Sequence, residues 1–368
     1  DEPYYRAGEL ITTFERLQPL WQPLSENELS QADNEPPTIE IWYGDTQSFS
    51  QHGTPQQWMN ILGNVSDPNP GSISLSYTLN GESSQPLNYG GDGSDNDGRR
   101  LANEGDFNVD LDKDDLKLGP NQVIITASDS VNPPVSTTVI VYYNPDKQWP
   151  LQYGVDWNGV TAVQDALQIV DGKWERLEDG SGVRIMETGY DRILSIGEGS
   201  FARDIHDWTE FDVLVEVTIH KYSEAGFSQL APAVGLVARW EGHTDETKLT
   251  CQPKCGYVPF GAAGWYSWKP LNRNPCVSMF ANDGKRVSAP ANQAPAMKYN
   301  KTYLWKMRVE NLDKPTGTYS FTIWEKGTVP PSEPLITFDE SLHNGEIPML
   351  TSGSLLLLSH HVDVTFGN

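Results

Sequence analysis

Between positions 72 and 79 the chain alternates without a miss. Ile73, Leu75, Tyr77 and Leu79 are apolar, while Ser72, Ser74, Ser76 and Thr78 carry hydroxyls. A period of two places one set on each side of an extended strand, so the segment is stable only with one face covered and one face wet. The pattern recurs on a larger scale in residues 211–220, 234–241, 303–310, 318–325 and 361–366. Helical spacing is scarce. Leu10, Phe14 and Leu17 suggest it, but Pro19 and Pro23 interrupt the run. No strand–helix–strand alternation is present, so the chain is expected to be all-β and largely antiparallel.

The strand-like runs fall into two groups. Residues 38–143 hold seven short ones, at 38–43, 57–65, 73–79, 86–89, 107–111, 121–128 and 136–143. Turn chemistry separates them: Asp67-Pro68-Asn69-Pro70-Gly71, Asn80-Gly81 and Leu118-Gly119-Pro120-Asn121. That density predicts an Ig-like β-sandwich over residues 36–145, without the inter-sheet disulfide of antibody domains, since no Cys lies there. Residues 1–35 read as an N-terminal extension, or as a strand lent to one of the domains. Residues 144–150 read as a linker. Residues 146–368 predict a larger two-sheet jelly-roll sandwich, opened by a hairpin whose arms at 174–177 and 183–186 flank Glu178-Asp179-Gly180-Ser181-Gly182.

Charge and composition narrow the function. Twenty-six basic residues stand against 50 acidic ones, a formal charge of −24. Phosphate backbones need clustered Lys and Arg, so nucleic acid is not an expected partner. No apolar run approaches a membrane span, so no membrane insertion is expected. The first residues, Asp1-Glu2-Pro3, lack a basic and an apolar signal region, as after removal of a signal peptide. Three Cys are too few for a disulfide scaffold. Cys251 and Cys255 suit a disulfide that clamps a loop, with Cys276 left free. A zinc site from the three thiols and His243 is the weaker reading. Gly91-Asp92-Gly93-Ser94-Asp95-Asn96-Asp97-Gly98 has the oxygen spacing of a calcium loop, but Asn103 stands where the bidentate Glu belongs. Structural calcium is therefore the one cofactor considered.

The wet faces of the long runs carry the site candidates. If those strands share a sheet, its outer face gathers Glu216, His220, Arg239, Lys306, Arg308, Trp324 and His361. Carboxylates and Arg suit sugar hydroxyls, an aromatic plate suits pyranose C–H faces, and Lys or Arg matches an acidic sugar. Such cross-strand charge pairs are also ordinary surface decoration. Trp265 and Trp268 belong to an aromatic, Gly-punctuated stretch at 251–268 that suits either a cleft wall or a loop folded onto the sheet. Glu216, His220 and His361 are the candidates for proton transfer. No E-x-D-x-E strand motif and no G-x-S-x-G elbow is present. His360 and His361, as neighbours on a strand, should point to opposite faces and not share an ion.

Several stretches resemble bacterial extracellular laminin-G-like, concanavalin-like jelly-roll domains. They are Trp174-Glu175-Arg176, Thr188-Gly189-Tyr190-Asp191-Arg192, Gly235-Leu236-Val237-Ala238-Arg239-Trp240-Glu241-Gly242-His243 and the ending from His360 to Asn368. The preceding module, with Val65-Ser66-Asp67-Pro68 and Gly98-Arg99-Arg100-Leu101, resembles the Ig-like repeats placed before such domains. The resemblance implies an extracellular or cell-surface protein that engages a polysaccharide or cell-surface glycan, and it carries over no catalytic residue. The expectation is a glycan-binding protein using the polar sheet face. A polysaccharide lyase or glycoside hydrolase on the same face is the runner-up, and a non-catalytic adhesin or structural assembly protein is the third reading. The net charge opposes polyanionic ligands at long range unless a local basic patch overrides it.

Overall fold

The structure is a computed structural model that describes residues 35–68, 73–91, 100–129, 131–150, 152–199, 208–228, 230–243, 252–254, 256, 259–281, 285–311, 317–339 and 350–368. Among the described residues the protein is all-β, with 22 strands and only short 3-10 turns of helix. The N-terminal extension, the Cys251 and Cys255 pair, and positions 92–98 of the acidic loop lie outside the described residues.

Eight strands build the first half: β1 (Thr38–Ile41), β2 (Thr46–Phe49), β3 (Trp58–Ser66), β4 (Ser74–Leu79), β5 (Gln85–Leu87), β6 (Asp106–Asp112), β7 (Gly119–Ser128) and β8 (Val135–Tyr143). They form a three-stranded sheet, β1-β3-β6, and a five-stranded sheet, β2-β8-β7-β4-β5. The pairings are antiparallel except for β2 with β8. Met59, Ile61, Phe107 and Val109 from one sheet meet Leu75, Val123, Ile125 and Val139 from the other in a common core.

The second half is larger. Its strands are β9 (Gln168–Asp171), β10 (Glu175–Arg176), β11 (Val183–Ile185), β12 (Asp191–Ile196), β13 (Phe211–Tyr222), β14 (Ala233–Trp240), β15 (Ala262–Trp268), β16 (Pro275–Phe280), β17 (Arg286–Ser288), β18 (Thr302–Glu310), β19 (Thr318–Glu325), β20 (Ile336–Asp339), β21 (Ser354–His360) and β22 (Val362–Phe366). A front sheet runs β10-β11-β22-β13-β18-β19-β20, and a rear sheet runs β17-β16-β15-β14-β21-β12-β9. Between them pack Val215, Val217, Trp305, Met307, Phe321, Val364 and Phe366 from the front, against Leu194, Val234, Leu236, Tyr266, Val277 and Leu357 from the rear. Gly264 is needed in that interface, since a Cβ there would sit 2.9 Å from the Phe321 ring.

The two sheets differ in what covers them. The front sheet has one wet face and alternates, as in the burial of β18. The rear sheet is covered on both faces: every residue of β14 and β21 is buried. Its second face carries its own cluster of Ile193, Val237, Trp240, Phe260, Ala263, Leu356 and Leu358. A strand buried on both sides loses its alternation. This is why β15 reads in the sequence as an aromatic loop, although it is a central strand paired with β14 and β16.

A buried polar network joins the halves. Arg100 donates to Asp171 at 2.7 Å and to both carboxylate oxygens of Asp110, at 2.5 and 3.0 Å. His243 Nε2 lies 2.9 Å from the other oxygen of Asp171. Asn60 and Asn108 complete the set, on Asp110 and Asp171 respectively. Burial pushes the Asp171 carboxyl up, but Arg100 and His243 pull it further down, below the usual carboxylate range.

Candidate functional site

The outer face of the front sheet brings together five of the nine candidate residues. Cross-strand register sets Glu216 opposite Leu304 and Leu304 opposite Trp324, with Lys306 and Arg308 further along β18. His220 lies on the same side of β13. Their polar groups are engaged by neighbouring side chains of the same face. Glu216 pairs with Lys326. His220 sits between Asn300 Oδ1, at 2.7 Å, and the Thr365 hydroxyl, at 2.8 Å. Arg308 grips Asp212 with two bonds of 2.5 and 2.7 Å, and Lys306 reaches the same carboxylate at 3.3 Å. The hydrogen bond from Arg308 is the main reason the Asp212 carboxyl lies below its ordinary pKa. Exposed pairs of this kind contribute about 0–1 kcal/mol each, and they leave few free groups for a ligand.

The other four candidates lie elsewhere. Arg239 is expected on the polar face but is fully buried in the rear sheet. Its φ of 55° breaks the alternation of β14, so Trp240 turns to the far face and the guanidinium turns inward along the sandwich edge. There it bonds the carbonyls of Thr209 and Leu350 and the side chain of Asn311. It thus staples the entry of β13, the exit of β18 and the entry of β21. Trp268 faces the inter-sheet core, and Trp265 faces the opposite side of β15, near Phe280 and His360.

His361 occupies the corner where the chain passes from the rear to the front sheet. Its φ of 57° suspends strand geometry, so the rings of His360 and His361 end with centroids 4.6 Å apart, contrary to the opposite-face expectation. His360 Nδ1 meets Asp191 Oδ1 at 2.8 Å, and Tyr190 stands edge-on to the His360 ring. His361 Nδ1 lies 2.8 Å from the Thr188 carbonyl. A carbonyl only accepts, so Nδ1 carries the proton and Nε2 presents a lone pair. Burial, reinforced by His360, pushes the His361 pKa down and keeps the ring neutral.

Next to the polar face, and unmarked by the sequence reading, lies a cleft of about 860 Å³. Tyr153, Trp208, Phe211 and Val213 line it partly exposed, with Trp149, Trp157, Leu355 and Leu357 buried behind them. Trp149 stands edge-on to Tyr153 at 5.3 Å, and Trp208 packs on Phe211 at 5.5 Å. The Trp149 indole nitrogen is buried without a hydrogen-bond partner, an unmet donor in the wall. Glu210, Asp212 and Leu214 border the opening.

The cleft exists because β13 outruns its neighbour. β22 covers β13 only from Val217 onward, and Gly367 and Asn368 extend the pairing to Glu216. The Glu216 N–H and C=O both point to that side. In an antiparallel ladder such residues alternate, so Asp212 and Leu214 present their backbone groups the same way. Among the described residues no strand pairs with this stretch of edge. The available signal was the aromatic density of 148–157: Trp149, Tyr153 and Trp157 in ten residues do not suit a solvated linker.

Among the described residues, no three His, Cys, Asp or Glu side chains are placed to hold a metal ion. His243 is engaged with Asp171 and the Gly256 carbonyl, and Cys276 is a half-buried free thiol. No described helix is long and apolar enough to cross a membrane. The fold and cleft define an all-β protein with an aromatic-lined groove on its second sandwich. Neither the protein-family models nor the curated protein sequences compared with the chain match it.

Proposed function

We propose that this is a glycan-binding protein whose ligand lies in the cleft at the head of β13. The observation that carries the reading is the cleft itself: about 860 Å³, lined by the partly exposed rings of Tyr153, Trp208 and Phe211 with Trp149 and Trp157 buried behind them. Small-ligand sites have this size and aromatic lining with a few polar groups at the rim. Aromatic faces suit the C–H faces of sugar rings, and the open backbone edge of Asp212 and Leu214 suits hydroxyls. An extracellular or cell-surface setting and a laminin-G-like ancestry belong to the same proposal.

Binding without turnover is the better fit. A glycosidase needs a general acid whose pKa is raised, and the Asp212 carboxyl at the rim is held low. A lyase needs a free cation beside the uronate, and Lys306 and Arg308 are both occupied by Asp212. The test is affinity electrophoresis through gels cast with neutral and uronic polysaccharides, together with a reducing-end assay. At least one glycan should retard the protein without being cleaved. Trp208→Ala should abolish retardation while leaving the far-ultraviolet circular dichroism unchanged. Retardation that survives Trp208→Ala, or released reducing ends, would refute the reading.

A further inference from the structure

The three cations expected to meet an acidic sugar are committed to the protein itself, and none of the described residues lining the cleft is a cation. Arg239 is fully buried and spends its donors on Thr209, Leu350 and Asn311. Arg308 and Lys306, on the strand beside β13, both close on the rim residue Asp212. Arg308 also reaches Glu310 at 3.4 Å. The rim of the cleft adds Glu210, whose carboxylate accepts from the Asn311 backbone at 2.7 Å. What remains for a ligand is uncharged: aromatic faces and the backbone N–H and C=O groups of the open β13 edge. The field around it is that of a chain with 24 more negative than positive charges.

We infer that the cleft selects uncharged glycans over uronic ones, and that Asp212, with Glu310, sets this selectivity by holding and neutralising Lys306 and Arg308. The inference rests on the glycan reading above. A free guanidinium and ammonium at the lip would match a carboxylate-bearing sugar through charge-assisted, bidentate bonds. With Asp212 and Glu310 in place, the cluster of two cations and two carboxylates presents no net charge to a ligand, and the rim repels a polyanion. Asp212 thus acts as a built-in competitor for the sugar carboxylate.

The experiment compares retardation of the wild-type protein, Asp212→Asn and Asp212→Ser in gels containing mixed-linkage β-glucan, xylan, mannan, alginate or polygalacturonate. The wild type should be retarded by at least one neutral polymer and by neither uronic polymer. Added sodium chloride should leave that retardation unchanged, because no ion pair is formed. Both variants should raise the ratio of uronic to neutral affinity by up to about fivefold, the order expected from one unit of freed positive charge. The uronic binding they gain should vanish at high salt. Adding Arg308→Met to either variant should lower the ratio again. A wild type that binds alginate or polygalacturonate as well as a neutral polymer overturns the selectivity and leaves the glycan reading standing. Folded variants whose ratio does not move overturn the role of Asp212. Failure to bind any of the five polymers removes both this inference and the reading beneath it.

Discussion

Replacing Arg100 with Met removes a buried cation shared by two buried carboxylates. Asp110 and Asp171 have fully buried side chains, and Arg100 is 3% exposed. Met fills much of the space but supplies none of the four hydrogen bonds that Arg100 makes to Asp110, Asp171 and the Lys254 carbonyl. Removing one partner of a buried ion pair costs about 3–5 kcal/mol, because the charge left behind is neither solvated nor neutralised. That is a large part of a typical folding free energy of about 5–15 kcal/mol. The pH dependence separates this cause from simple loss of packing. In the wild type the Asp171 pKa is depressed, so its contribution is present above the unfolded value of about 3.9 and is lost as pH falls through the folded value. In Arg100→Met, burial of the carboxyls loses its chief counterweight, so ionisation in the folded state becomes costly. The destabilisation should therefore be greatest near pH 7 and shrink as the pH is lowered toward 4.

Urea unfolding followed by tryptophan fluorescence measures this directly. Trp58 donates its indole N–H to the His243 carbonyl, and Trp240 stands edge-on to the His243 ring at 5.2 Å, so both report on the network. A loss under about 1 kcal/mol at pH 7, or a loss that grows on acidification, would refute the electrostatic reasoning.

Relative to the wild type, Glu187→Gln should gain melting temperature as the pH rises from about 4 to about 7, from a baseline lowered by loss of the 3.5 Å pair with buried Arg192. Burial above all pushes the Glu187 pKa up, against the pull of Arg192. A raised carboxyl pKa means stability is lost as pH climbs through the folded value, and the amide escapes that loss. A melting temperature that falls relative to the wild type over that range would contradict it. At the β21–β22 corner, His361→Asn should melt above His361→Val. Asn tolerates the φ of 57°, whereas a β-branched residue there adds about 1–3 kcal/mol of strain. Equal melting temperatures in differential scanning calorimetry would show that the backbone relaxes at this position.

The strands that the sequence reveals most plainly are those with one wet face. Residues 318–325 alternate and form β19 over that whole span; β13 and β18 are read to within two residues of their ends. Burial on both faces hides some strands but not all: β14 and β22 are fully buried and still legible, whereas β15 and β21 escape. Ala262–Trp268 looks like an aromatic loop and Leu355–Leu358 like a bare apolar run, because neither needs polar residues on alternate positions. β2 and β9, four residues each, are too short to show a period.

For the site, the division follows how far a local rule reaches. Side-chain period two is a property of the backbone alone, so Glu216, His220, Lys306, Arg308 and Trp324 could be assigned to one face without knowing the fold. The rule fails at Arg239 and His361, where a single positive φ in each case resets the direction of the side chains. That reset answers to packing. At Arg239 it supplies a buried cation to three carbonyl and amide oxygens from distant segments, and at His361 it turns the chain from one sheet to the other.

The sequence by itself determined the all-β character, the antiparallel long strands and which residues share the front face, because hydrophobic alternation acts through nearest neighbours. Only the tertiary structure decided that the charges on that face cancel one another, that Arg239 is a staple, and that an aromatic cleft opens beside β13. Those features depend on where β22 stops along β13 and on where residues 149–157 fold back. Both are set by contacts between segments some 60 to 200 positions apart, such as Trp157 with Gly367, and no local pattern encodes them.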